Sequence, residues 1–176
     1  AKAFFEKHGY IAGEEHWSMG RNLHGFQLSE KILEKKKAAE DAGYSFQKFN
    51  YDDALELLVY LREEFGGGWE RNARISMQDG TAEELIMIVK NKDDRICGFC
   101  MRAIDKNPMR FGPIGISKSE RSAGLGSILL NLYFADMSQH GVFRMYFVTT
   151  DVPGRRYYER NGLEVIRSFV EYAKEI

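Results

Sequence analysis

The stretch from Arg110 to Thr150 constrains the chain more than any other. "RFGPIGIS" reads as a strand, "RSAGLG" as a turn of small residues, "LGSILLNLYFADM" as a helix and "VFRMYFVTT" as a second strand. Within the helix Leu125, Ile128, Leu129 and Leu132 recur at i, i+3, i+4 and i+7, with Leu130, Phe134 and Met137 widening the stripe. A strand, a helix and a strand in succession form a β-α-β crossover, which predicts a parallel strand pair in a mixed sheet. Pro113 and Gly115 in the first strand predict a bulge or an irregular edge.

The other segments fit around that crossover. "SEKILEKKKAAEDAG" from Ser29 has a serine cap, helix formers and Gly43 as a stop, and its low apolar content predicts an exposed connector. "YSFQKFNY" predicts a first strand and "DDALELLVYLREEFGGG" a helix closed by three glycines; "WERNARISMQDG" predicts a second short helix and a loop. "EELIMIVKNKDDRICGFCMRAI" places an "NKDD" turn between β-rich halves, a hairpin signal. "PGRRYYERNG" is a short helix with Pro153 at its start and Gly162 past its end, and "LEVIRSFVEYA" is a closing strand.

The chain has 176 residues, is 44% apolar by composition and carries a net charge of -1, enough for one buried domain with something left over. A near-neutral balance leaves no footprint for nucleic acid and no basic run for a membrane surface. The longest apolar runs, such as "ELIMIV", fall far short of a bilayer span. The opening "AKAFFEKHG" lacks the basic-then-apolar pattern of a secretion signal. Cys97 and Cys100 lie on a predicted strand, where residues three apart point to opposite faces about 10 Å apart, too far for a disulfide. No second Cys/His pair completes a zinc site, and His8, His16 and His24 all fall in the N-terminal segment, so no metal is expected. Two cysteines so placed suit a reducing cytoplasm.

Glycines ahead of a helix let a ligand approach the main chain, and the helix start supplies unsatisfied N–H groups and the positive end of its dipole. Together they suit an anion such as phosphate. Alone, "RSAGLG" is a weak signal: it lacks the lysine of a phosphate-loop NTPase and the third glycine of a dinucleotide fold. It does not stand alone. The order strand, R-x-x-G-x-G, apolar helix, strand, short helix with Y-Y-E-R-N-G, strand resembles the GNAT superfamily of acetyl-coenzyme A-dependent N-acetyltransferases over about residues 45–176. "RSAGLG" matches that family's Q/R-x-x-G-x-G/A pyrophosphate loop, and "RYYERNGL" its C-terminal F/Y-Y-E-K-x-G-F signature. In "TTDVPG", Asp151 and Gly154 replace the family's frequent Asn and Ala, which puts in doubt a hydrogen bond from this position to the cofactor arm.

The resemblance implies an α/β (α+β) GNAT fold: a central mixed, mostly antiparallel twisted sheet with a splayed parallel strand pair, flanked by about four helices. It also implies acetyl-coenzyme A as cosubstrate. The main chain of Arg121, Ser122, Ala123, Gly124, Leu125, Gly126 and Ser127 would hold the pyrophosphate, and the strand at Ile114 to Ile116 would pair with the pantetheine arm. Tyr158 occupies the position of the family's general-acid tyrosine. Attack on the thioester needs a neutral amine and then a proton for the thiolate, since an alkylammonium has a pKa of about 10.4 and a thiol of about 8.5. For the base, no Glu or Asp lies in "RFGPIGI", which leaves Asp151 and Asp105 as the acids nearest the expected slot. Trp69, Glu70 and Arg71 beside three glycines suggest a mobile rim over an acceptor pocket, with core packing the alternative for Trp69. An aromatic and acids suit a small cationic amine: an amino sugar, a polyamine or an amino-acid derivative.

One more pattern is internal. "FFEKHGY" at Phe4 to Tyr10 reads almost like "YYERNGL" at Tyr157 to Leu163. Chance in an aromatic-rich sequence is one account. The other makes residues 1–28 the tail of a preceding GNAT-like unit, 29–44 a helical linker and 45–176 the acetyltransferase domain. Phe5 then sits where Tyr158 does, and the preceding unit would lack that hydroxyl. "YIAGEEHWSM" is then expected as a strand-like piece outside the main core, pairing with a sheet edge or with a neighbouring chain as in a homodimer. Two functions remain open: an acetyltransferase for a small-molecule amine, and a catalytically weak coenzyme A-binding or regulatory module of a tandem protein.

Overall fold

The computed structural model describes residues 2–121 and 123–174. In chain order the elements are α1 (Lys2–Lys7), β1 (Ile11–Asn22), α2 (Glu30–Asp41), β2 (Ser45–Lys48), α3 (Ala54–Phe65), α4 (Gly67–Gln78), α5 (Ala82–Leu85), β3 (Ile86–Lys90), β4 (Ile96–Arg102), β5 (Phe111–Ile116), α6 (Leu125–Gln139), β6 (Arg144–Phe147), α7 (Val152–Arg160) and β7 (Glu164–Ala173). The chain divides into two compact units: Ala1–Arg21 with Tyr146–Ile176, and Asn22–Met145. It is a mixed α/β fold, as the sequence predicts.

The larger unit, Asn22–Met145, carries a four-stranded antiparallel sheet in the order β2-β3-β4-β5. Every residue of β3 and β4 is buried, which explains why "IMIVK" and "ICGFCMR" show no alternation: helices cover both faces. One cluster joins Leu57, Tyr60 and Leu61 of α3 and Ala73 of α4 to Ile86, Ile88, Phe99 and Met101. The long α6 also packs on β3, β4 and β5 and is apolar nearly all round, with Ile128, Leu129, Leu130, Tyr133, Phe134 and Met137 buried. Its Tyr133 hydroxyl donates to the Leu85 carbonyl at 2.5 Å, so this buried phenol is satisfied.

Polar anchors close the corners of that unit. Buried Lys90, at the end of β3, pairs with Asp53 at the start of α3 at 2.8 Å. Asn91 accepts the amides of Asp93 and Arg95 and so shapes the predicted "NKDD" hairpin turn. Cys97 and Cys100 are free and buried on β4. The α2 segment differs from its reading as an exposed connector. Ser29 caps it as predicted, but Ile32 and Ala39 are buried and the helix packs beside α6. Glycine residues 67 and 68 also depart from expectation: they open α4 rather than forming a loose tail to α3.

The smaller unit holds β7, β1 up to Arg21 and the Tyr146–Phe147 half of β6, strands hydrogen-bonded in the order β6-β1-β7, with α1 and α7. β1 runs antiparallel to β7, from Ile11 opposite Ala173 to Gly20 opposite Glu164, with register shifts at Ala12/Glu15 and Ser18/Met19. Trp17 and Thr150 exchange both main-chain hydrogen bonds, at 3.2 and 3.0 Å. "YIAGEEHWSM" is thus a strand, as expected, but its second half carries the buried Trp17 and Met19. The crossover strands β5 and β6 are present too, although they belong to different hydrogen-bonded sheets rather than to one.

Candidate functional site

The glycine turn sits between the edge strand β5 and the start of α6. Gly124 has φ 77° and ψ 0°, left-handed backbone that a Cβ would crowd. It is the N-cap residue of α6, and among the described residues no side chain caps the helix. Its carbonyl accepts the Ser127 and Ile128 amides at 3.1 and 3.3 Å. Ala123 and Gly124 are exposed and Gly126 and Ser127 half-buried, while the Leu125 side chain goes into the core. A 15-residue helix therefore presents its positive end through bare main chain. Ser122 lies outside the described residues.

β5 contributes a free edge. It pairs only with β4 in its sheet, and the predicted irregularity is a register shift: Arg102 faces Phe111 while Cys100 faces Ile114. Ser117 N–H donates to the Cys97 carbonyl at 2.9 Å. By the alternation of an antiparallel ladder, Ser117 and Gly115 aim their main-chain groups at β4, and Ile114 and Ile116 aim theirs outward. These are the two residues expected to pair with an extended ligand arm. The exposed Arg121 turns back to this edge, its Nε donating to the Ile116 carbonyl at 3.4 Å. The next residue back, Glu120, accepts from the Tyr44 hydroxyl at 2.5 Å, and that bond, with burial, pushes the phenol up to about 12.

An aromatic wall stands over the same strand. Phe65, at the end of α3, stacks on Trp69 of α4 with ring centroids 4.4 Å apart. A Cβ at Gly115 would meet Phe65 at 2.5 Å and Trp69 at 2.9 Å, so glycine lets this wall lie flat on the strand. Trp69 also packs against the core cluster, which settles its two readings toward packing. Glu70, expected at the rim, is buried between Arg62 and Arg74 and is no open acid for an amine. Sequence reading overlooked Phe65; its only signal was an aromatic directly before a triple glycine.

The two acids proposed as bases are both engaged. Asp105 holds the β4–β5 turn, taking the Asn107 amide at 3.0 Å and standing 3.4 Å from the Arg110 guanidinium. Asp151 is the N-cap of α7 and takes the Gly154 amide at 2.8 Å. A Cβ at Gly154 would collide with the Thr150 hydroxyl and Asp151, which explains glycine at this position. On the same helix Tyr158 is half-buried, its ring 4.3 Å from Phe147 and 5.0 Å from Tyr157. The larger unit thus assembles Ile114, Ile116, Arg121, Ala123, Gly124, Leu125, Gly126 and Ser127, and the smaller unit Asp151 and Tyr158.

A separate cavity of about 480 Å³ lies in the larger unit, lined by Ser76, Asp79, Thr81, Arg102 and Lys106 among others, and by none of the residues predicted from the sequence.

Residues 54–163 match the profile of the Acetyltransferase (GNAT) family. No curated protein matches the sequence. Among solved structures, the chain resembles a GCN5-related glucosamine N-acetyltransferase region of a fungal multi-domain GH3 β-N-acetylglucosaminidase, with TM-score 0.78 and 17% identity over 97% of this chain and 22% of that one. It resembles a tandem GNAT protein from the clavulanic acid biosynthesis pathway, with TM-score 0.57 and 13% identity over 97% of this chain and 57% of that one. AAC(6')-Iy in complex with the bisubstrate analogue CoA-S-monomethyl-acetylneamine gives TM-score 0.58 and 13% identity over 76% of this chain and 99% of that one. The chain thus spans about a fifth of the first of these proteins and just over half of the second.

Proposed function

Because the chain belongs to the GNAT acetyltransferase family, we propose that it transfers acetyl from acetyl-coenzyme A to the primary amine of a small molecule, an amino sugar or a related amine. The observation that carries this reading is the uncapped start of α6 behind left-handed Gly124, next to the outward main chain of Ile114 and Ile116. Arg121 and the main chain of residues 122–127 would hold the pyrophosphate of the cofactor, and the β5 edge its amide-bearing arm. The cofactor supplies the activated acetyl group. Phe65 and Trp69 form an apolar wall over β5 at Gly115.

Tyr158 is assigned as the acid that returns a proton to the departing thiolate. Asp151 serves the reaction by fixing the start of the helix that carries Tyr158. An amino-sugar acceptor is supported by a glucosamine N-acetyltransferase region and by an acetylneamine-bearing analogue among the similar structures. Residues 1–28 are read as the end of a preceding GNAT-like unit and residues 45–176 as the transferase domain, working in the cytoplasm. The second reading, a coenzyme A-binding module of little activity, draws on the engagement of Asp105 and Asp151 in local structure.

Following thiol release from acetyl-coenzyme A with a panel of amines separates the two. Release with amino sugars supports the transferase. Binding of coenzyme A without release supports the module, and neither binding nor release overturns both.

A further inference from the structure

The repeat seen in the sequence reappears as symmetry in the sheet. A shift of 153 positions, the step from Phe4 to Tyr157, carries β1 onto β7. Applied to the β1·β7 ladder it returns seven of the eight pairs, all but Ser18 opposite Arg167. Ile11 opposite Ala173 becomes Glu164 opposite Gly20, and Ala12 opposite Tyr172 becomes Val165 opposite Met19. Glu15 opposite Val170 exchanges with Ser168 opposite Trp17, and His16 opposite Phe169 maps onto itself. The two register shifts exchange as well. Side chains follow the same rule: the space over Gly162 is filled by Arg21, and that over Gly9, its counterpart, by Lys174, the counterpart of Arg21. Two strands related by a local two-fold axis are the arrangement an isologous contact produces.

The surroundings break the symmetry. β1 has partners on both edges, β6 and β7, whereas β7 ends the sheet. Trp17 is 6% exposed but its counterpart Val170 is 36% exposed; Met19 is 0% exposed and its counterpart Tyr172 only half-buried. Ile166 and Val165 add further exposed apolar surface on β7. Trp17 gives both main-chain groups to Thr150. By the two-fold, the main-chain groups of Val170 point outward at an open edge.

We propose that β7 is completed by a second unit of this fold, preceding Ala1 in the same polypeptide, whose counterpart of β6 lies along the free edge of β7. The continued order is β6-β1-β7-β6 counterpart, and the partner strand exchanges two main-chain hydrogen bonds with Val170 as Thr150 does with Trp17. This rests on reading residues 1–28 as the end of a preceding unit. An open edge with exposed Val165, Ile166 and Val170 invites such strand addition. The tandem GNAT protein matches this chain over 97% of its residues and extends well beyond it.

Amide hydrogen exchange compares the natural full-length polypeptide with the 176-residue chain at micromolar concentration. The proposal expects peptides within 164–173 to exchange about 100-fold more slowly in the full polypeptide, with β1 unchanged. Val170→Pro in the full polypeptide removes one outward amide and should abolish that protection without altering protection of Trp17; Val170→Lys, which keeps the amide and adds an edge charge, is the second variant should proline disturb the fold. A full-length polypeptide with no related unit before Ala1 overturns the tandem reading itself. Equal exchange despite such a unit overturns only the strand pairing. Protection that appears in the 176-residue chain as its concentration rises assigns the edge to a second copy and overturns the proposal.

Discussion

Phe65 and Trp69 lie face to face, 4.4 Å between ring centroids and 17° from parallel, and together they cover the strand at Gly115. The contact places two aromatic rings where a Cβ cannot go. Gly115→Ala pushes the stack off the strand and is expected to cost about 1–3 kcal/mol by overpacking. It should also lower kcat/KM for the amine at least tenfold if this wall borders the reacting groups. Thermal unfolding and steady-state kinetics report the two effects separately, and an unchanged kcat/KM would remove the wall from the site.

The turn ahead of α6 yields the most direct test of cofactor binding. Gly124 at φ 77° accepts a side chain at a cost of roughly 1 kcal/mol, while its exposed main chain is where the pyrophosphate is assigned. Gly124→Val should therefore cut coenzyme A affinity well beyond that small loss of stability, by more than about tenfold or 1.4 kcal/mol. Calorimetric titration measures the affinity and a melting curve the stability. Equal, small losses in both would place the ligand elsewhere.

Much of this was legible in the sequence because the informative residues act through local rules. The i, i+3, i+4, i+7 stripe of α6, the Ser29 cap, the "NKDD" hairpin and the irregular β5 at Pro113 and Gly115 each follow from backbone sterics or side-chain period. What the sequence hid was tertiary. Ile32 and Ala39 look like minor apolar breaks in a lysine-rich helix, yet each finds a buried place, so α2 is packed rather than an exposed connector. Glu70 reads as an open acid until Arg62 and Arg74, one from another helix, close on it. Asp151 has the sequence context of a catalytic acid and the geometry of a helix cap. Separating such roles needs the partner, which no local pattern names.

Tyr158 carries the assigned acid. Tyr158→Phe keeps the ring packed against Phe147 and deletes only the hydroxyl. A fall in kcat of about 10²–10⁴ is expected, with coenzyme A affinity retained. Full activity in this variant would leave the ring as packing.

The buried thiols and phenols set the alkaline limit of stability. Burial, with the Glu120 charge a smaller cause, pushes the Cys97 thiol up to about 12, and burial also raises Cys100, Tyr60 and Tyr133. A folded pKa above the unfolded value means that the native state holds protons which the unfolded chain releases. That stability is complete below pH ~9 and drains away as pH climbs toward 12, by about 1.4 kcal/mol per unit for each such group. Melting temperatures should hold up to about pH 9 and fall above it, and Cys97→Ala should make the fall shallower. An identical slope in that variant would show that the thiol does not contribute.

Asp151 separates positioning from proton transfer. As the N-cap of α7 it accepts the Gly154 amide at 2.8 Å, a role that asparagine also fills and alanine does not. If Asp151 acts only by fixing α7, Asp151→Asn should retain activity within about threefold, while Asp151→Ala should lose about 1 kcal/mol of stability and a larger part of kcat. A base must be able to hold a proton on its carboxylate, and asparagine cannot, so under that role both variants fall together and the acidic limb of the pH profile disappears with them. Measuring kcat against pH for the two variants decides between the roles, because a cap leaves the limb in place and a base removes it.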